Sequence, residues 1–259
     1  VILLVGCGKM GGAMLAGWRA AGRDVAVVEP NAALHPPGVV AATDPAALPP
    51  GLAPEAVVLA VKPQEAARVL PSYARFAARA VFVSIMAGKS VAGMDSLLGG
   101  GARIVRAMPN TPAAIGKGIT VAVPGPGVSE GQRALADSLL AAVGEVAWVE
   151  EESLIDPVTA LSGGGPAYVF LLAEVLAAAG VANGLPADLA ARLARATVAG
   201  SGALLAASAE DPATLRRNVT SPGGTTAEAL AVLMDDAAWP ALMRQALAAA
   251  TARSRALAG

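Results

Sequence analysis

The hexapeptide Gly6-Cys7-Gly8-Lys9-Met10-Gly11 follows an apolar run at residues 1–5 and precedes an Ala/Leu-rich stretch. That placement constrains the fold more than any other segment. In a G-x-G-x-x-G pattern the first glycine permits a tight turn and the second lets the backbone approach a pyrophosphate. The third allows close strand–helix packing, with the helix N-terminus facing the negative charge. An ordinary Gly-rich turn has the same letters, so the weight of the pattern depends on its surroundings. Those surroundings agree: β-branched runs recur at residues 25–28, 57–61, 81–85, 104–106 and 119–123, each the length of a buried strand. Stretches 10–21 and 64–78 have helical composition and the length of crossover connections. Pro/Gly clusters at 36–38, 49–51 and 124–127 mark loops.

After Glu150-Glu151-Glu152 the strand-like runs stop, and the remaining chain has helical spacing, for example at Val169, Leu172, Ala173, Leu176 and Gly180. Leu185-Pro186 and Asp211-Pro212 supply breaks at which new helices can start. The expected fold class is α/β: a Rossmann-type, doubly wound, mostly parallel sheet over residues 1–152, then an all-helical domain over 153–259. The helical part is apolar on several faces, so it is expected to pack against a partner subunit. Basic and acidic residues nearly cancel, 19 against 20, leaving no field to hold nucleic acid or an anionic membrane. The apolar stretches 158–173 and 196–209 are short or broken by Gly and Pro, below the ~20 residues of a membrane span. One cysteine suits neither an intrachain disulfide nor a cysteine-based metal site, so no metal is expected. A cytoplasmic protein follows from these signs. Val1 already lies inside an apolar run, which leaves any upstream segment open.

The second strand ends in Glu29, near the ~20-residue spacing at which an acidic residue grips the adenosine ribose. Asn31 beside it is counted with the cofactor site; a solvated strand-end carboxylate is the alternative. Glu29 would repel a 2′-phosphate and no Arg or Lys adjoins it, which favours NADH over NADPH unless Lys9 or a distant cation intervenes. Ala60-Val61-Lys62-Pro63-Gln64 ends another strand at a basic residue, at the sheet edge where open parallel sheets bind ligands. Ser84-Ile85-Met86-Ala87-Gly88 and Met108-Pro109-Asn110-Thr111-Pro112 bring small residues and an amide to the same edge. Ala87, Gly88 and Asn110 are read as walls of a nicotinamide pocket, although turn formation alone accounts for either segment. In Val219-Thr220-Ser221-Pro222-Gly223-Gly224-Thr225-Thr226, Thr225 followed by Glu228 has the spacing of a capping box. The glycines then precede a helix N-terminus whose N–H groups suit a carboxylate; a capped interhelical turn is the alternative.

The ordered set resembles the pyrroline-5-carboxylate reductase family across nearly all of the chain. Gly6 to Gly11 is similar to its cofactor loop, Ala60 to Gln64 to its Val-Lys-Pro segment, and Met108 to Pro112 to its Asn-Thr-Pro turn. Leu161-Ser162-Gly163-Gly164-Gly165-Pro166-Ala167-Tyr168 resembles the opening of its helical domain, except that Gly164 stands where the family usually has Ser. The resemblance implies reduction of 1-pyrroline-5-carboxylate to L-proline with NADPH or NADH. It also implies an interlocked homodimer, which in some members of the family assembles into a larger ring of dimers. It implies a substrate loop comprising Val219, Ser221, Gly223, Gly224, Thr225 and Thr226, with Thr226 near the substrate nitrogen as the catalytic residue. A protonated cyclic imine is already electrophilic, so orientation against the nicotinamide and a hold on the carboxylate are the main needs. His35 and Cys7 are then ordinary loop residues. Rival readings are a reductase of another cyclic imino acid, a hydroxyacid dehydrogenase, or a catalytically silent dinucleotide sensor. A hydroxyacid enzyme needs a basic group for the hydroxyl proton, and the helical half holds no Lys.

Overall fold

The computed structural model describes residues 1–258. Its sheet consists of β1 (Ile2–Val5), β2 (Val25–Val28), β3 (Val40–Ala42), β4 (Ala56–Leu59), β5 (Val81–Ser84), β6 (Arg103–Met108), β7 (Gly118–Pro124) and β8 (Gly144–Trp148). Their order is β3-β2-β1-β4-β5-β6-β7-β8. All neighbours are parallel except β6 and β7. Central strands such as β1 and β4 are buried on both faces, so they read as unbroken apolar runs rather than alternating ones. The two-residue period still sorts them. Leu3, Val5, Val57, Leu59, Phe82 and Ile104 face one core, and Ile2, Leu4, Val58, Val81, Val83 and Val105 face the other.

The short strands β3 and β8 have no counterpart in the sequence reading. Both lie at the margins of the sheet, where half-exposed residues interrupt the apolar signal. α1 (Lys9–Ala20) fulfils the first crossover, and Trp18 ties it to α4 (Glu130–Leu140) by donating its indole N–H to the Leu139 carbonyl at 2.7 Å. The second expected crossover, 64–78, does join the parallel strands β4 and β5, but not as one regular helix. It divides into 3₁₀ turns at Pro63–Glu65 and Leu70–Phe76 around one turn of α2 (Ala66–Val69). Pro71 supplies the reason, since it has no N–H to donate and its ring blocks the preceding turn. α3 (Val91–Leu97) follows β5, and α5 (Ile155–Val158) places Ile155 against Met108, Val121 and Val123.

Two compact units emerge. The first holds Val1–Gly164 together with the chain from Ala250 onward; the second is Gly165–Ala249. The composition shift after Glu152 and the division at Gly164 therefore fall at different places, because α5 packs on the sheet. The second unit contains α6 (Gly165–Ala182), α7 (Ala187–Ala207), α8 (Pro212–Asn218), α9 (Thr225–Leu233) and the start of α10 (Trp239–Ala258). Gly180 of α6 meets α7 closely: a Cβ there would stand 3.2 Å from that of Ala190. α6 and α9 bury no residue, and Phe170, Leu204, Val232 and Leu242 are all exposed.

One expectation about length is corrected as well. Helical turns continue from Glu152 to Ala182, 31 residues that include an 18-residue window of mean hydropathy 1.7, long and apolar enough to cross a membrane by length and composition. Gly163 and Pro166 do not break this run. Gly163 lies in a π-helical turn, Thr159–Gly163, and Pro166 stands at the start of α6, where a missing N–H costs little.

Candidate active site

The three glycines of the first loop do three different things. Gly6, at φ +92°, needs a conformation that residues with a Cβ rarely adopt, and a Cβ there would lie 2.7 Å from the Ala60 carbonyl oxygen. Gly11 packs so closely on Gly6 that a Cβ would strike its carbonyl oxygen. Gly8 has ordinary φ and nothing within 4 Å of a Cβ position. It is the open place in the loop. As N-cap of α1 it offers no side-chain acceptor, so the first-turn N–H groups, from Lys9 and Met10 on, carry no side-chain cap. An open glycine before an uncapped helix N-terminus is what a pyrophosphate requires.

Beside this loop lies a cavity of about 530 Å³, lined by Gly6, Gly8, Glu29, Asn31, Ala60, Val61 and Lys62 among others. Seven of the residues expected to bind the cofactor are thereby brought together. Glu29 uses both carboxylate oxygens: Oε2 accepts from Cys7 N–H at 2.8 Å and Oε1 from Asn31 N–H at 2.9 Å. It thus holds the glycine loop as well as facing the cavity. His35 braces the same strand end, with Nε2 2.7 Å from the Glu29 carbonyl oxygen. The Cys7 thiol is pushed above its usual pKa by burial first and by the Glu29 charge second. Arg68 lines the cavity but is ion-paired with Glu65. Tyr73 is a wall residue absent from the sequence reading; its phenol pKa is raised, chiefly by burial and next by Asp44. A regular helix over 64–78 gave no reason to place it there. Pro63 opens the turn after Lys62.

Ala87, Gly88 and Asn110 lie outside that cavity lining, beyond the carboxyl ends of β5 and β6. Gly88 takes φ +65°, and a Cβ on it would stand 3.1 Å from Leu257 Cβ at the end of α10. Asn110 accepts the Ile119 N–H on Oδ1 at 3.0 Å, which fixes its turn to β7. Glu152 Oε1 accepts from both Val91 N–H and Arg106 Nη1, each at 2.8 Å, and so joins the start of α3 to β6. Arg106 is buried, and its Nε and Nη2 have no partner among the described residues. The π-helical turn sets Gly163 against Met108, where a Cβ would lie 3.7 Å from the sulfur. Such turns recur at functional sites, and no periodicity in the sequence announces this one. Gly164 closes the turn in ordinary helical geometry, its N–H donating to the Thr159 carbonyl at 2.9 Å.

The expected substrate loop lies wholly in the second unit. Val219, Ser221 and Gly223 precede α9, with Gly223 at φ +66°. The capping box is corrected: Gly224 is the N-cap, Thr225 is already the first helical residue, and no side chain caps the helix. The Thr225 hydroxyl is one position too late to turn back on the first N–H groups. The Gly224 carbonyl accepts from Ala227 and Glu228, while the Thr225 and Thr226 N–H groups have no partner among the described residues. Both threonines are exposed.

Comparison with known proteins gives the same outline. Residues 152–257 match the family model for pyrroline-5-carboxylate reductase dimerisation, and residues 1–88 that for NADP oxidoreductase, coenzyme F420-dependent. A pyrroline-5-carboxylate reductase of Pseudomonas aeruginosa is 42% identical over 79% of this chain and 75% of its own. The solved structure of a pyrroline-5-carboxylate reductase from Coxiella burnetii superposes with a TM-score of 0.91 at 34% identity, covering 100% of this chain and 98% of that one. A pyrroline carboxylate reductase of Plasmodium falciparum with NADP bound gives 0.82 at 28% identity, over 100% and 98% of the two chains. With the open glycine loop, the strand-end carboxylate and the helical unit in place, these matches show that the chain belongs to the pyrroline-5-carboxylate reductase family.

Proposed function

We propose that the protein reduces 1-pyrroline-5-carboxylate to L-proline, the last step of proline biosynthesis, using NADPH or NADH. The observation that carries this reading is the presence of an uncapped backbone cradle in each unit, at Gly8 in the first and at Gly224 in the second, within a chain of this family. When bound, the reduced nicotinamide supplies a hydride. Gly6, Gly8 and the first turn of α1, Cys7 to Gly11, hold the pyrophosphate; Glu29 and Asn31 hold the adenosine ribose; Ala60 to Pro63 line the way between. Ala87, Gly88 and Asn110 flank the nicotinamide. On the substrate side, the free N–H groups of Thr225 and Thr226 receive the carboxylate, in a loop shaped by Val219, Ser221, Gly223 and Gly224. The Thr226 hydroxyl orients the ring nitrogen. A protonated imine needs no further electrophilic help, which fits a site without a strongly basic catalytic group.

Residues 1–152 serve as the dinucleotide domain and residues 153–259 as the substrate-binding and dimerisation domain. The exposed apolar faces of α6, α7 and α10 support burial between subunits, and dimers assembling further into a ring would cover more of them. A dimer face also accounts for the apolarity of 152–182 without a membrane, in keeping with a cytoplasmic enzyme. Thr226→Ala tests the site. Losing one oriented hydroxyl costs ~1–3 kcal/mol, so kcat/KM for the imine is expected to fall roughly ten- to a hundredfold with cofactor Kd unchanged. Parental efficiency in Thr226→Ala and in Gly224→Val would return the loop to a purely structural role.

A further inference from the structure

Residues 85–90, between β5 and α3, carry Ala87 and Gly88 and are held along their length, beginning with Ile85 N–H, which donates to the Leu59 carbonyl at 3.1 Å. Met86 N–H donates to Ser84 Oγ at 3.3 Å, and Val91 N–H donates to Glu152 Oε1 at 2.8 Å. Between these, Gly88 meets the last turns of α10: a Cβ on it would lie 3.1 Å from Leu257 Cβ and 3.2 Å from the Leu257 carbonyl oxygen. Little apolar burial draws α10 there, since Leu257 is 53% exposed. What fixes it is a bond between two buried side chains. The Ser254 hydroxyl donates to Asp156 Oδ1 at 2.7 Å, with Ser254 6% and Asp156 9% exposed. Ser254 and Leu257 stand three residues apart, on one face of the helix.

We infer that Ser254 is a positioning residue for hydride transfer. Through Asp156 it seats the end of α10 on Gly88 and so sets the position of the loop that faces the nicotinamide. This rests on the reading of Ala87 and Gly88 as the nicotinamide wall. A displacement of about 1 Å at a reacting centre costs up to a hundredfold in rate. The adenosine end, at Glu29 and Gly8, has no contact with Ser254 among those described, so its binding is left alone.

The test uses the whole chain. Ser254→Ala is expected to lower kcat about tenfold, to leave the Kd of ADP-ribose, which lacks the nicotinamide, within about twofold, and to speed amide exchange of 85–90 in the cofactor-free protein. Ser254→Thr keeps the hydroxyl and is expected to restore all three. Leu257→Gly leaves the Ser254–Asp156 bond and removes the side chain at Gly88, and should reproduce the loss in kcat; if Ser254→Ala does not fold, this variant decides. Ala87→Leu probes the wall by itself and is expected to weaken NADH but not ADP-ribose. An Ala87→Leu without effect on NADH overturns the wall and the inference together. An effective Ala87→Leu beside parental kcat and exchange in Ser254→Ala and Leu257→Gly overturns the inference alone. Equal losses of NADH and ADP-ribose binding in Ser254→Ala overturn it too, because Ser254 would then support only general stability.

Discussion

Gly8 and Gly11 stand three residues apart in one motif, yet their substitution should fail in different ways. Gly8 has free space around it and ordinary φ, so Gly8→Val is expected to keep the fold and raise dinucleotide Kd severely, as titration against a matched thermal melt would show. Gly11→Ala would strike the Gly6 carbonyl oxygen and is expected to lower the melting temperature first. A Gly8→Val protein with parental Kd would remove the pyrophosphate assignment. Glu29 carries a second expectation. Its charge opposes a 2′-phosphate by on the order of 1 kcal/mol at a partly exposed site. Glu29→Ser should therefore raise the NADPH-to-NADH ratio of kcat/KM roughly fivefold. It should also weaken both dinucleotides, because Cys7 and Asn31 N–H lose their acceptor. A parental enzyme that already strongly prefers NADPH would show that a more distant cation dominates. The motif residues were legible in the sequence because glycine and strand-end charge leave a local signature. Tyr73, Glu152, Arg106 and Ser254 were not, since what matters about Tyr73 is the cavity it walls and about the other three the partner reached across the fold.

At the scale of elements, local chemistry was legible where one residue type dictates geometry and misleading where two were in competition. The buried strands announced themselves as β-branched runs, whereas Ala-rich composition over 64–78 hid the veto of Pro71. Thr225 and Glu228 had capping-box spacing, but the helix starts at Thr225 and the true cap is Gly224. α8, which leads into the proposed substrate loop, has a conventional cap. Asp211 accepts from Thr214 N–H at 3.0 Å and from its hydroxyl at 2.8 Å, and its pKa is lowered from 3.8, mainly by that hydroxyl. A depressed carboxyl contributes fully above its ordinary value, and the contribution disappears as pH falls through the lowered one. α8 is thus expected to fray on acidification below pH 3.8, seen as faster exchange of the Thr214 amide. Asp211→Asn, which caps without titrating, should abolish that dependence; an unchanged pH profile in the variant would assign the fraying to other groups.

For the molecule as a whole, the helices of the second unit expose Phe170, Leu204, Val232 and Leu242, far more apolar surface than one chain usually leaves open. Light scattering at micromolar concentration should find no stable monomer, and Phe170→Glu should shift the population toward one; an active parental monomer would contradict the dimer. The sequence disclosed this surface through excess apolarity, but not which helices share it, because small residues such as Gly180 and Ala190 set helix spacing without a strong pattern. Nor did it disclose that the dinucleotide unit takes in residues on both sides of the helical one. That arrangement bears on biosynthesis. During translation the sheet can grow strand by strand from β4 onward, each new strand docking on an edge already formed. The residues that rest on Gly88, however, leave the ribosome only after all of 165–249. On the proposed site assignments, a prematurely terminated product would assemble the adenosine pocket while lacking the support of its hydride-transfer end, able to capture a nucleotide yet poorly equipped to turn it over.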